Sequence, residues 1–267
     1  MVICDGIMPI ITLTSDLGYE DPYLALVKAK ILSQAPDAQI IDISHSINPY
    51  DIAEAAYVVK SILSDFPKDT IHIVGIDTRS IDTIEHLGIR YRNQFILAAN
   101  NGLLSLIADQ YHPDLVVELT MNVDSDKLIF PMRDLYGPAA AYLAKGGSLE
   151  VIGRQMQNLP KRTMLLPTTG EDYIKGFVIY VDHYGNAISN IHESLIKEVA
   201  KGRDLLIGFV SKGYELHEIQ QRYDDVAINE RLALINSAGY LEIAIRQGHA
   251  ANLLGLPKNE AIIITFS

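Results

Sequence analysis

Three short apolar runs, each stopped near an acidic residue and each followed by a helical pattern, constrain this chain more than anything else in it. Ile10, Ile11 and Leu13 read as a buried first strand that halts at Ser15-Asp16-Leu17-Gly18, a turn with a carboxylate at its apex. Asp21 and Pro22 then start a helix, because Asp caps orphan N–H groups and Pro fits the first helical position. Helical spacing runs over 22–34 and closes at Pro36. Residues 39–43 predict a second strand, leading into Ser44-His45-Ser46-Ile47-Asn48-Pro49-Tyr50-Asp51, and Ile52, Ala55, Ala56, Val59, Ile62 or Leu63, and Phe66 then share one helical face. Residues 71–76 predict a third strand that delivers Asp77. Strands alternating with helices imply a parallel sheet, with Asp16, Asp42 and Asp77 at or near one edge. In open α/β sheets ligands bind at that edge.

The first turn has a single glycine and matches neither G-x-G-x-x-G nor G-x-x-x-x-G-K, so it does not build a pyrophosphate cradle. A carboxylate there accepts from a ribose hydroxyl or faces a cation, and it repels phosphate. The ordinary role of Asp at a strand exit is a cap or turn former. Asp42, inside its strand pattern, is assigned that role; for Asp16 and Asp77 the choice between turn and function stays open at this point.

Further along, 94–99 predict a strand stopped by Asn100-Asn101-Gly102, 103–108 a helix and 115–119 another strand. Phe130-Pro131-Met132-Arg133-Asp134 leads into a helix closed by Gly146-Gly147, with Arg133 and Asp134 readable as an ordinary ion pair. Two prolines and a Thr-Thr-Gly cluster between 158 and 172 mark a break in the helical pattern. Beyond it short strands dominate: 174–181, 205–210, 214–219, 232–235, 240–245 and 261–266, with one short helix at 194–200. The expected architecture is an α/β N-terminal domain with a mostly parallel central sheet over 1–160, a linker at 161–172, and a small all-β, barrel-like C-terminal domain over 173–267.

Composition removes several classes of function. A net charge of −11 with no basic run argues against nucleic acid, which needs clustered Lys and Arg. Cys4 is the only cysteine, so no disulfide framework exists. No apolar run approaches the roughly 20 residues that span a bilayer, and the N-terminus lacks the basic region of a signal peptide. A cytoplasmic protein with no membrane partner is expected. Neither H-E-x-x-H nor paired cysteines occur, so no metal ligand set and no cofactor are expected.

Seven blocks then carry a resemblance: TSDLGYEDPY, DISHSINPYDIAEAA, FP followed by IHIVGID, ANNGLLSLI, RDLYGPAAAYLAKG, VDHYGNAISNI and LINSAGYLEIAI. In this order and spacing, over almost the whole chain, they resemble the S-adenosylmethionine hydroxide adenosyltransferase family, relatives of fluorinase and chlorinase. The resemblance implies a homotrimer with S-adenosylmethionine, or adenosine, held between the N-domain of one subunit and the C-domain of its neighbour. It implies displacement at the ribose 5′ carbon by water, hydroxide or halide, with release of L-methionine and without a metal. Asp16 matches the carboxylate that holds the ribose hydroxyls, and Tyr50 an aromatic position beside the sugar. Asp182 and Ser237 match groups that hold the methionine ammonium and carboxylate. Tyr184 and Tyr223 match aromatic residues that sandwich adenine, and Asn186 an amide that reads its edge.

The chain also departs from the family. Family hydrolases position the attacking water with an Asp, an Arg in the same stretch, and the His of a later F-H-G-R-D. Here Asp77 matches the Asp, but the Arg position is Ile84, the His position is Pro131, and the halogenases' serine corresponds to Met132. Arg79, His86 and His45 are the candidates to supply a polariser from elsewhere. Hydrolysis to adenosine and L-methionine with Asp77 orienting the water is the leading expectation. A binding or sensing protein without turnover is the alternative, and a metal-dependent phosphohydrolase using Asp16 and Asp77 is a third reading that lacks a metal-spaced partner set.

Overall fold

The alternating pattern of the first half builds a seven-stranded sheet. The computed structural model describes residues 8–108, 112–121, 129–157, 159, 166–209 and 214–267. The chain divides into two units, Met1–Arg162 and Thr163–Ser267.

In the first unit, β1 (Ile10–Ser15) lies between β2 (Gln39–Ser44) and β3 (Ile71–Gly75), parallel to both, and β3 pairs in parallel with β5 (Gln94–Ala99). β3 and β5 are buried throughout, as strands covered on both faces must be. Helices α1 (Tyr23–Gln34) and α4 (Gly137–Ala144) pack on each other, as do α2 (Ile52–Ile62) and α3 (Leu103–Ala108). Val27, Ile31 and Ala140 join Ile11, Leu13, Ile73 and Leu97 in one core. Asp51 caps α2 by accepting the Glu54 N–H at 3.0 Å.

The sheet is mixed, which corrects the expectation of a mostly parallel one. Its order is β2-β1-β3-β5-β4-β6-β7, and β4 (His86–Tyr91), β6 (Leu115–Leu119) and β7 (Gly153–Gln155) add antiparallel pairings. The cause is the β4–β5 hairpin, whose turn residues Arg92 and Asn93 sit at φ +52° and +59°. A two-residue connection forces antiparallel strands, and this one lacks the glycine that usually announces it.

The second unit holds β8 (Thr168–Thr169), β9 (Tyr173–Val181), β10 (Ala187–His192), α5 (Glu193–Ala200), β11 (Leu205–Phe209), β12 (Ile219–Gln220), β13 (Arg231–Ile235), β14 (Tyr240–Ile245), α6 (Ala250–Leu253) and β15 (Ala261–Phe266). With α5 and α6 it is not all-β. Its sheet runs β11-β15-β9-β10-β14-β13-β12, with β8 on β9. The expected strand at 214–219 shrinks to a single bridge from Leu216 to Ile207 and the two residues of β12. Ile174, Val178, Leu241, Ile243, Ile262 and Ile264 form its core. Residues 161–165 of the expected linker and Val210 of the expected strand 205–210 lie outside the described residues. Among the described residues no helix is long and apolar enough to cross a membrane.

Candidate functional site

In the first unit the carboxyl ends of β2, β1, β3 and β5 share one sheet edge. β4 starts there too, since its first residue, His86, pairs with Ala99 at the end of β5. That edge gathers Asp16, His45, Asp77 and Asn101. The Asp16 N–H donates to the Gly75 carbonyl at 3.5 Å, and the Asp16 Oδ2 accepts the Tyr50 N–H at 3.0 Å. Tyr50 sits at φ +66° and is 74% exposed. The structure therefore joins Asp16 to Tyr50 through the backbone and leaves the aromatic ring in solvent.

Asp77 follows β3 at φ +43° and Arg79 follows at φ +49°. These two left-handed residues fold the loop back, so that Arg79 Nε and Nη2 donate to Asp77 Oδ1 and Oδ2 at 3.4 and 3.2 Å. Asn101 fixes the same loop by donating from Nδ2 to the Ile76 carbonyl at 2.8 Å, while its Oδ1 accepts the Leu103 N–H at 3.1 Å and starts α3. Its Asn-Gly sequence reads as a turn alone; tying a strand exit to a helix start is a role that composition does not reveal. Beneath the loop, a Cβ on Gly75 would collide with Met132 Sδ. Met132 opens a π-helical turn, Met132–Tyr136, a rare feature that recurs at functional sites.

Of the three candidate polarisers, Arg79 is the one that touches Asp77. His86 is buried, with Nδ1 2.5 Å from the Tyr136 hydroxyl, and burial lowers its imidazole to about 4, so it is neutral near pH 7. His45 bonds Ser15 at 2.6 Å, and its Nε2 lies 3.2 Å from Asp42 Oδ1. Asp42 in turn accepts from Lys28 Nζ at 2.6 Å; burial would push its carboxyl up, but the Lys28 and His45 bonds outweigh it and hold it below the usual value. Arg133 and Asp134 form a two-point ion pair at 2.7 and 2.8 Å, the ordinary reading of that dipeptide. Ile84 is half-buried and Pro131 buried, and neither offers a polar side-chain atom.

In the second unit the turn between β9 and β10 closes on itself. Asp182 Oδ1 accepts the Asn186 N–H at 2.8 Å and Oδ2 accepts Asn186 Nδ2 at 3.0 Å. One Asn186 amide N–H is thus engaged by Asp182, while Tyr184 stands 77% exposed. Asn236 Oδ1 accepts the N–H groups of Ala238 and Tyr240 at 3.0 and 3.1 Å, which holds Ser237 exposed at the hairpin tip. Tyr223 donates its hydroxyl to Glu242 Oε1 at 2.6 Å.

Glu242 is the residue that sequence reasoning missed. It is 3% exposed in the middle of β14, and burial, with the Asp182 charge adding to it, pushes its carboxyl up against the hydrogen bonds of Tyr223 and Asn236. It therefore ties together Tyr223 and the Ser237 hairpin, and faces the like charge of Asp182. A single acid inside the apolar run YLEIAI was the available signal.

Each unit thus presents carboxylates, hydroxyls and exposed aromatic rings, groups that accept hydroxyl and ammonium donors and stack on a flat base. Among the described residues no group of three His, Cys, Asp or Glu side chains could hold a metal ion.

Sequence and structure comparisons agree with one another. The profile of the SAM hydroxide adenosyltransferase N-terminal domain matches residues 11–153, and that of the C-terminal domain residues 176–263. The chain is similar to an (R)-S-adenosyl-L-methionine hydrolase of Thermus thermophilus, with 28% identity over 253 residues covering 91% of this chain and 94% of the relative. It is similar to a fluorinase of Nocardia brasiliensis, with 26% identity over 283 residues covering 91% and 92%. A crystal structure of an uncharacterised conserved protein from Thermotoga maritima superposes with a TM-score of 0.87 at 28% identity, covering 96% of this chain and 99% of that one. With both domain profiles matched in order, the chain belongs to the SAM hydroxide adenosyltransferase family.

Proposed function

We propose that this protein hydrolyses S-adenosyl-L-methionine, with water or hydroxide attacking the ribose 5′ carbon to give adenosine and L-methionine. The observation that carries the reading is the clustering of Asp16 and Asp77 at one sheet edge in a chain whose family includes a named hydrolase. A new C–O bond forms as the C–S bond breaks, the sulfonium leaves as a neutral thioether, and the water's proton is released. Asp77 orients the water. Arg79, laid along that carboxylate, supplies the positive charge that Ile84 and Pro131 do not. Alignment of the nucleophile is itself worth several kcal/mol.

Asp16 accepts the ribose hydroxyls. Tyr184 and Tyr223 enclose adenine, Asn186 lies at its edge, and Asp182 and Ser237 hold the methionine end. Tyr50 lies beside the sugar. We further propose a homotrimer in which these two sets of residues meet across subunit seams, working in the cytoplasm without metal or other cofactor.

Incubation with S-adenosylmethionine and chromatography of adenosine and methionine tests this. Turnover lost in Asp77→Ala supports it, and magnesium-dependent release would point to the phosphohydrolase instead. One observation favours the second reading, a sensor that binds without turnover: both Asp77 oxygens are engaged by Arg79. Tight binding with no product would establish that reading.

A further inference from the structure

A chain of close polar contacts runs from α1 to the turn that carries Asp16. Lys28 Nζ donates to Asp42 at 2.6 Å, Asp42 Oδ1 lies 3.2 Å from His45 Nε2, His45 Nδ1 lies 2.6 Å from Ser15 Oγ, and Ser15 Oγ accepts the Leu17 N–H at 3.3 Å. Ser15 and His45 are both buried. The direction of every link follows from the chemistry of its ends. An ionised Asp42 only accepts, so Nε2 carries the imidazole proton, and Nδ1 must then accept from the Ser15 hydroxyl.

His45 holds the Asp16 turn from both sides. Its ring binds Ser15 on one flank, and its backbone carbonyl accepts the Gly18 N–H on the other at 2.9 Å. The same loop, five residues on, supplies the Tyr50 N–H to Asp16 Oδ2. The edge of the Tyr19 ring packs on the imidazole at 5.2 Å between centroids. Asp16 Oδ1 has no protein hydrogen bond among the described residues, so the turn aims one free acceptor whose direction is set by these ties.

We propose that His45 is a positioning residue: through Ser15 and the 15–18 turn it sets the orientation of the Asp16 carboxylate toward the ribose hydroxyls. This rests on the assignment of Asp16 to the ribose under the function proposed above. A side chain that supports a ligand-binding group governs its precision when its own geometry is locked, and His45 is held to the turn by its ring on Ser15 and its carbonyl on the Gly18 N–H.

Isothermal titration with adenosine and with 2′,3′-dideoxyadenosine tests it, because the second ligand lacks the hydroxyls Asp16 would bind. Wild type is expected to prefer adenosine by about ten- to a hundredfold, the size of a hydrogen bond to a charged group. His45→Gln keeps a polar atom for Asp42 but not for Ser15. It is expected to lose most of that preference while binding dideoxyadenosine as wild type does. His45→Asn places an acceptor near Nδ1 and is expected to restore the preference, and Ser15→Ala to lose it. Equal loss of both ligands in His45→Gln, or no loss of preference, overturns the proposal. Asp16→Asn separates the two ideas. If it loses the preference while His45→Gln keeps it, the positioning role alone fails; if it keeps the preference, the ribose assignment fails and this inference falls with it.

Discussion

Arg79 lies along both oxygens of Asp77, two residues away, at 3.4 Å from Nε and 3.2 Å from Nη2. The pair is made within one loop, and it exists because both residues adopt a left-handed backbone. Left-handed non-glycine residues cost on the order of 1–3 kcal/mol each and concentrate where a site needs an unusual side-chain direction. The Arg79 side chain is 58% exposed and that of Asp77 19%, so the charge pair meets solvent on one side and the sheet on the other.

If Arg79 polarises the attacking water through this pair, Arg79→Ala should lower kcat by about a hundredfold and Asp77→Ala by up to about ten-thousandfold. KM for S-adenosylmethionine should change little in either. Adenosine release under saturating substrate measures both. An Arg79→Ala enzyme with wild-type kcat removes Arg79 from the reaction.

Gly75 and Met132 make a packing prediction at the same place. A methyl on Gly75 meets the Met132 thioether, so Gly75→Ala should destabilise by about 1–3 kcal/mol in urea unfolding. Met132→Ala alone costs about 2–5 kcal/mol through the cavity it leaves. Adding Gly75→Ala to Met132→Ala should cost much less than Gly75→Ala alone; strict additivity would mean the two do not touch.

Two buried histidines fix the acid limb of stability. His72, held by Thr12 at 2.7 Å and Gln94 at 3.3 Å, and His86 are each lowered by burial to about 4. The unfolded chain takes up these protons first, near its ordinary value of about 6.5. The stability they confer is therefore complete above that pH and lost as pH falls toward 4, by about 3 kcal/mol for each group. Urea midpoints measured from pH 7.5 down to 4.5 should fall over this window, and less steeply in His72→Asn.

Glu242 has the opposite sign. Its carboxyl is pushed above the ordinary value by burial, with the Asp182 charge adding to it, so the ionised form is disfavoured in the fold. Stability is therefore greatest below the ordinary value near 4.5 and declines as pH rises through the raised one. Glu242→Gln, which can still accept from Tyr223, should melt higher than wild type at pH 8, with the difference closing toward pH 4. A lower melting temperature at pH 8 would show that the charge is needed for folding.

The βα unit that carries Asp16, and the strand that delivers Asp77, are legible because their signals are local: an apolar run, a turn, a proline at the helix start. The cap expected of Asp21 does not form, since Pro22 takes the N-cap position without a side-chain bond. The mixed sheet is not, because β4 depends on an Arg92-Asn93 turn with no glycine. The helices of the second unit include the four residues of α6, too few for periodicity to register. Glu242 stays hidden because one acid in an apolar strand does not say which groups converge on it. Arg79 is one of three candidates named from the sequence, but nothing in the sequence places it on Asp77. Spacing directs attention to Ile84, seven residues after Asp77, whereas backbone conformation brings back the arginine two residues away.

The excursion from Gly75 to His86 leaves the sheet and rejoins it at the same rim, since β4 runs opposite to β3 and β5. Under the function proposed above, the groups that meet the nucleophile lie on this loop, whose two ends are anchored in β3 and β4, the strands on either side of β5 in one sheet. Under that reading the loop is an exchangeable insert on a fixed frame, and in this chain it carries Asp77 and Arg79 together.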